Sequence, residues 1–302
     1  MNADIDFLIL SDCDFRYISI PNNVTIKKMQ FSEIQQLVFE KTSGGVLPNP
    51  YKLCDYRPAY GDIFSEYLQG YDWYGWCDCD MALGSIRGFI TDEILQTYDK
   101  IGISGFFVLM KNSEEIRLYY KRTDIQTNWV NFNEVKRHKC SFAFDEKTLM
   151  NDEFGKRFKL HTLRPNMCGD TRPRTYNFNS YCCDPIGKEL YHYQDGHVFR
   201  VGNNYEKEVL FVHWLKRILP IHDRTNYNDY WVAPNGFYTV DNNSSAITRI
   251  AWSDREARIY EKKYRRIRTR KIIFKLSGIY GYYIIRRYVR TLLEEVNQDG
   301  AL

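Results

Sequence analysis

Between residues 5 and 111, short apolar runs alternate with stretches of helical spacing, and this alternation constrains the fold more than any other feature. Residues 5–12 (IDFLILSD) read as a buried strand ending in a polar turn, and 24–29 (VTIKKM) as a second strand. Residues 32–42 place apolar side chains at helical spacing behind Ser32, the capping candidate. A loop then leads to a helix expected near 58–69, ended by Gly70, and to a short aromatic strand, WYGW, at 73–76. Residues 84–101 look helical and 102–112 (GISGFFVLMKN) strand-like. Strands alternating with helices predict an α/β fold with a mostly parallel, Rossmann-like sheet flanked by helices. In such sheets ligands sit beyond the carboxyl ends of the strands. One domain is expected over 1–250, its later part rich in Tyr, Asn, Pro and Gly with short strands such as HVFRV and VLFVHW. From 251 to 302 a basic, aromatic helical tail is expected.

A chain of 302 residues, 44% hydrophobic and 26% charged, is long enough to bury a substantial core. No apolar run approaches the roughly 20 residues of a membrane span. The acidic start MNADIDFLILSD does not read as a secretory signal. Eight cysteines in a chain of this size are therefore expected as reduced thiols in a cytoplasm. Charge is unevenly spread. Eleven of the 42 basic residues lie between Lys262 and Arg290 with no Asp or Glu, leaving 31 against 38 acidic residues elsewhere. Cations mixed with Ile, Phe and Tyr in this segment predict contact with an anionic membrane surface, on the inner face of the cytoplasmic membrane. A nucleic-acid partner is not expected, since the body is acidic and carries no recognised motif.

Three Asp-x-Asp pairs, at Asp4 and Asp6, Asp12 and Asp14, and Asp78 and Asp80, offer carboxylates one residue apart. A divalent cation that must also hold a phosphate needs such a pair, but so short a motif is weak alone. Asp6 begins a strand rather than ending it, and turn chemistry accounts for Asp12 and Asp14. Asp78 and Asp80 follow an aromatic strand and precede the small residues Ala82, Gly84 and Ser85, which leave room for a bulky anion.

The stretch from PYKLCDYRPAYG (50–61) through GYDWYGWCDCD (70–80) to DEIL (92–95) resembles an uncharacterised, glycosyltransferase-like bacterial family of capsule and O-antigen gene clusters. The likeness continues more loosely through FFVLMKNSEE and FAFDE to FVHWLKR, over roughly residues 4–217. That family in turn resembles nucleotide-diphospho-sugar transferases of GT-A fold. The resemblance implies a metal-dependent hexosyltransferase that takes a nucleotide-diphospho-sugar donor and a glycan or lipid-linked acceptor. It implies that Asp78 and Asp80 bind Mn²⁺ or Mg²⁺, with Asp78 also touching the donor. It places the usual first strand of the fold ahead of the first residues here. A hard cation held by carboxylates suits a leaving diphosphate.

His213 in FVHWLKR could be an ordinary core residue of an apolar strand; the resemblance to a closing His-then-Lys motif implies a third metal ligand. Lys216 and Arg217 would then neutralise the diphosphate. Lys52, Asp55 and Arg57 occupy the region where related folds hold the donor. Asp145 and Glu146 are the candidates for a catalytic base, with a helix-capping pair as the other reading.

Overall fold

The computed structural model describes residues 2–124, 130–146, 148–163, 167–171, 175–178, 184, 186–202, 204–215, 217–221, 227–239, 247–248, 255 and 257–263. The chain forms two compact units, each drawn from separate stretches. Ala3–Cys77 joins Thr97–Thr162 in the first, and Asp78–Gln96 joins the described residues after Leu163 in the second.

In the first unit, strand β1 (Phe7–Ser11) pairs in parallel with β2 (Val24–Lys28). The helix Phe31–Lys41 follows, with Phe31, Ile34 and Val38 at helical spacing against the core. Its start is fixed not by Ser32 but by Glu33, whose carboxylate accepts the Gln30 backbone N–H at 2.6 Å. A four-stranded sheet has the order β3-β6-β5-β7, from β3 (Trp73–Cys77), β5 (Lys100–Ile101), β6 (Phe107–Lys111) and β7 (Leu160–His161). Tyr74 and Trp76 of β3 point into the core, and Gly75 and Cys77 point out, as a period of two requires.

In the second unit, a three-stranded sheet of β4 (Met81–Leu83), β8 (Cys168–Asp170) and β12 (Phe211–His213) has β12 in the middle. A five-stranded sheet has the order β11-β10-β9-β13-β14: β9 is Leu190–Gln194, β10 His197–Gly202, β11 Tyr205–Val209, β13 Asp229–Ala233 and β14 Gly236–Thr239. Tyr191, Val198, Val209 and Val232 of this sheet share a core with Ala82 and Val212 of the smaller one. Its other face gathers Leu190, Val201, Trp231 and Tyr238.

This overturns the mostly parallel, Rossmann-like sheet expected from the alternation. The five-stranded sheet is antiparallel throughout, and β6 runs antiparallel to both of its neighbours. Among the described residues, parallel pairing is confined to β1 with β2, β5 with β7, β8 with β12 and one isolated bridge between Ile221 and Phe237. Two local causes are visible. The helices after β3 are only Ile86–Phe89 and Asp92–Thr97, one turn or so each, too short to cover a parallel crossover. And β9 turns into β10 through Asp195 and Gly196, both at positive φ, the two-residue turn that matches the twist of an antiparallel hairpin.

Among the described residues no helix is long and apolar enough to cross a membrane. The basic segment expected at 262–290 lies outside the described residues apart from Lys262 and Lys263.

Candidate metal centre

Asp78 and Asp80 occupy the turn between β3 and β4, and the sheet of the second unit brings His213 to them. In the antiparallel register of β4 and β12, His213 stands opposite Met81, the residue after Asp80. The Trp214 N–H donates to the Asp80 carbonyl at 3.2 Å, tying the two segments just past the histidine. From the other side, Thr171 donates both its backbone N–H (3.0 Å) and its hydroxyl (2.9 Å) to the His213 carbonyl. The main chain of His213 is therefore held on both edges.

The ring lies 3.2 Å from Asp80 (Nε2 to Oδ1) and 3.7 Å from Asp78 (Nε2 to Oδ2). One ligand atom from each of the three residues lies within 4.8 Å of the others. Ligand atoms around one ion at bonds of about 2.0–2.2 Å stand roughly 3 Å apart, so these spacings suit a shared cation. The donor set of two carboxylates and one imidazole suits Mn²⁺ or Mg²⁺ better than a soft metal. Burial grades across the site: the imidazole is fully enclosed, while the carboxylates of Asp78 and Asp80 remain 22% and 32% exposed. A ligand can approach from the carboxylate side.

A fourth residue completes the group. Asp170 pairs with His213 across the parallel register of β8 and β12, and its Oδ1 lies 2.9 Å from Nδ1. A carboxylate behind a histidine fixes the tautomer and leaves Nε2 to face the metal position. Burial works against a charged ring here, but the hydrogen bonds and charges of Asp170 and Asp80 outweigh it, and the His213 pKa is pushed up to about 9, so a cation at this position would displace the Nε2 proton. Sequence reading missed Asp170. The stretch MCGDT carries no local pattern, and its role depends on a strand pairing more than forty positions away.

The other expected residues, where described, have partners of their own. Lys216 lies outside the described residues. Arg217 is buried, donates to the carbonyls of Thr175 and Tyr176, and lies over the rings of Phe178 and Tyr260. Its guanidinium organises 175–178 rather than standing open to a phosphate.

Lys52 and Asp55 form an enclosed ion pair at 2.7 Å in the first unit. Lys52 also donates to the carbonyls of Val135 and Cys140, and Asp55 accepts the N–H groups of Phe142 and Phe144. Together they pin the turns at Pro50–Ala59 to the 135–144 segment.

Arg57 donates to the Gly105 carbonyl (2.8 Å) and to the buried carboxyl of Asp145 (3.2 Å). Burial pushes the Asp145 pKa up to about 7 against the opposing charge of Arg57; Glu146, beside it, is exposed. The remaining Asp-x-Asp pairs have other partners. Asp14 is bonded to Arg16, and Asp6 accepts the Tyr71 hydroxyl.

Residues 1–241 match a protein family described as a family of unknown function, DUF6625. No curated protein and no solved structure matches the chain.

Proposed function

For this chain, which belongs to the DUF6625 family, we propose metal-dependent glycosyl transfer: a hexose moves from a nucleotide-diphospho-sugar, a UDP-sugar in the first instance, to a glycan or lipid-linked acceptor. The observation that carries the reading is the convergence of Asp78, Asp80 and His213 from segments far apart in sequence. The resemblance of residues 50–95 to glycosyltransferase-like sequences supports it; the GT-A fold is no part of the argument. Asp78 and Asp80 would hold Mn²⁺ or Mg²⁺ with Nε2 of His213, and such a cation supplies Lewis-acid stabilisation of a leaving diphosphate. Asp170 orients the imidazole, and the exposed side of the two carboxylates leaves space for the phosphates. In this reading the protein works in the cytoplasm, and the basic segment 262–290 holds it to anionic lipid near its acceptor.

The test is a thermal-shift panel of UDP, GDP and CMP, each with and without Mn²⁺, on wild type and Asp80→Asn. Stabilisation by one nucleotide that needs Mn²⁺ and is lost in the variant supports the transferase and identifies the donor class. No response to any nucleotide overturns it in favour of a non-catalytic glycan- or membrane-binding partner.

A further inference from the structure

A cleft of about 340 Å³ opens in the second unit, lined in part by residues that neighbour the candidate metal centre in sequence. Its wall includes Ala82, two residues after Asp80, and Trp214, the residue after His213. Tyr193, Tyr230 and Phe237 of the five-stranded sheet form the opposite wall, with Tyr227 at the rim. The aromatic groups are ordered. Tyr193 and Tyr230 stack at 4.8 Å and 14°, and Phe237 meets Trp214 and Tyr230 edge to face. Burial raises the pKa values of Tyr193 and Tyr230, so both hydroxyls keep their protons at neutral pH.

We propose that this cleft is the acceptor subsite and binds one neutral pyranose ring; the assignment as an acceptor subsite rests on the transferase reading above. Three features select that ligand. The volume is at the low end of small-molecule sites, enough for a single ring with part of its neighbour. The described wall holds no charged or amide side chain, which disfavours phosphates, uronates and the hydrogen-bonding edge of a nucleobase. Aromatic planes with phenolic hydroxyls at their edges match a pyranose, which has an apolar C–H face and a rim of hydroxyls. Ala82, Leu83 and Ile221 supply the aliphatic remainder of the lining, so an alkyl chain is the occupant that competition must exclude. The chain links the two sites: Ala82 of β4 lines the cleft two residues after Asp80, and Trp214 lines it one residue after His213.

Saturation-transfer NMR on the full chain tests the proposal, with methyl pyranosides of glucose, galactose, mannose, N-acetylglucosamine and glucuronate as probes. Decanoate and uridine serve as competitors. At least one neutral pyranoside should show transfer, strongest at the C–H protons of one ring face, with the glucuronide weaker. Tyr230→Ala should weaken its binding about tenfold. Tyr227, 82% exposed, can be changed to Ala without disturbing the core, and should weaken it by a smaller factor. Absence of transfer from every neutral pyranoside, unchanged affinity in both variants, or displacement by decanoate or uridine overturns the assignment. The Mn²⁺-dependent nucleotide response of the wild-type chain is recorded in parallel. Pyranoside binding without that response supports the sugar site and removes the transferase, and the reverse pattern removes the sugar site alone.

Discussion

Replacing Asp145 by Asn should reshape the dependence of stability on pH. The Asp145 carboxyl is enclosed, and burial lifts its pKa from 3.8 to about 7 although Arg57 donates to it. The folded chain thus keeps a proton that the unfolded chain releases near pH 4. Stability from this group is complete below about pH 4 and is lost as pH rises through about 7. A rise of about three units corresponds to about 4 kcal/mol of lost stability by pH 8. Asn keeps an oxygen for the Arg57 N–H but has no proton to lose. Exchanging a charge-assisted hydrogen bond for a neutral one costs about 1 kcal/mol. At pH 8 the variant should therefore be more stable than wild type by about 2–3 kcal/mol, an excess that shrinks to about 0.5 kcal/mol at pH 5. Lys100, driven by burial down to about pH 7, slopes the other way: its contribution is lost as pH falls through about 7. Wild type alone would blur the two effects, so the difference between the two proteins is the quantity to follow. Urea unfolding monitored by tryptophan fluorescence at pH 5, 6, 7 and 8 measures it. A difference that stays constant across this range would refute the reasoning.

Asp170→Asn should lower Mn²⁺ affinity by about 10- to 100-fold, because the amide no longer fixes the His213 tautomer; calorimetric titration with Mn²⁺ that finds equal affinity rejects this role. Gly105→Ala would bring a Cβ to 2.1 Å from the Asp145 carboxylate, and a loss of about 1–3 kcal/mol is expected in chemical denaturation. An unchanged midpoint there would mean that the packing around Asp145 is looser than the structure gives. Asp55→Ala strands the buried Lys52 ammonium and the amides of Phe142 and Phe144, at a cost of about 3–5 kcal/mol. Lys52→Met with Asp55→Leu should recover part of that loss, and no recovery would show that the amides, not the charge, set the cost.

Local pattern located several short strands and the acidic pair of the candidate metal centre, but not the direction in which strands pair. Val24–Lys28, Trp73–Cys77 and Phe107–Lys111 all form where apolar runs predicted them. Whether β3 and β6 run together or opposed depends on the path between them, and the two short helices there carry no mark of that path. One clue was legible and went unused: Asp195-Gly196 between apolar runs is a hairpin signal, and it argues for the antiparallel sheet directly. Asp78 and Asp80 were singled out by the chemistry of a diphosphate and His213 by its resemblance to a closing motif, and the fold brings the three together. Lys52, Asp55, Arg57 and Arg217 misled for the converse reason. Charged groups in loops suggest ligands, while burial, which turns them into ties between backbone segments, is set by contacts made far along the chain.

The order in which the second unit can assemble follows from its central strand. β4 emerges early in synthesis, yet its sheet partner among the described residues, β12, comes after residue 210. Until then the residues around Asp78 and Asp80 have no ladder to join, while β3 can already pair with β6. Contacts of such long separation form late, and the nascent chain must carry Met81–Leu83 as an unpaired apolar segment in the meantime. Three polar residues of the candidate centre thus become neighbours in one closing step, which waits for β12.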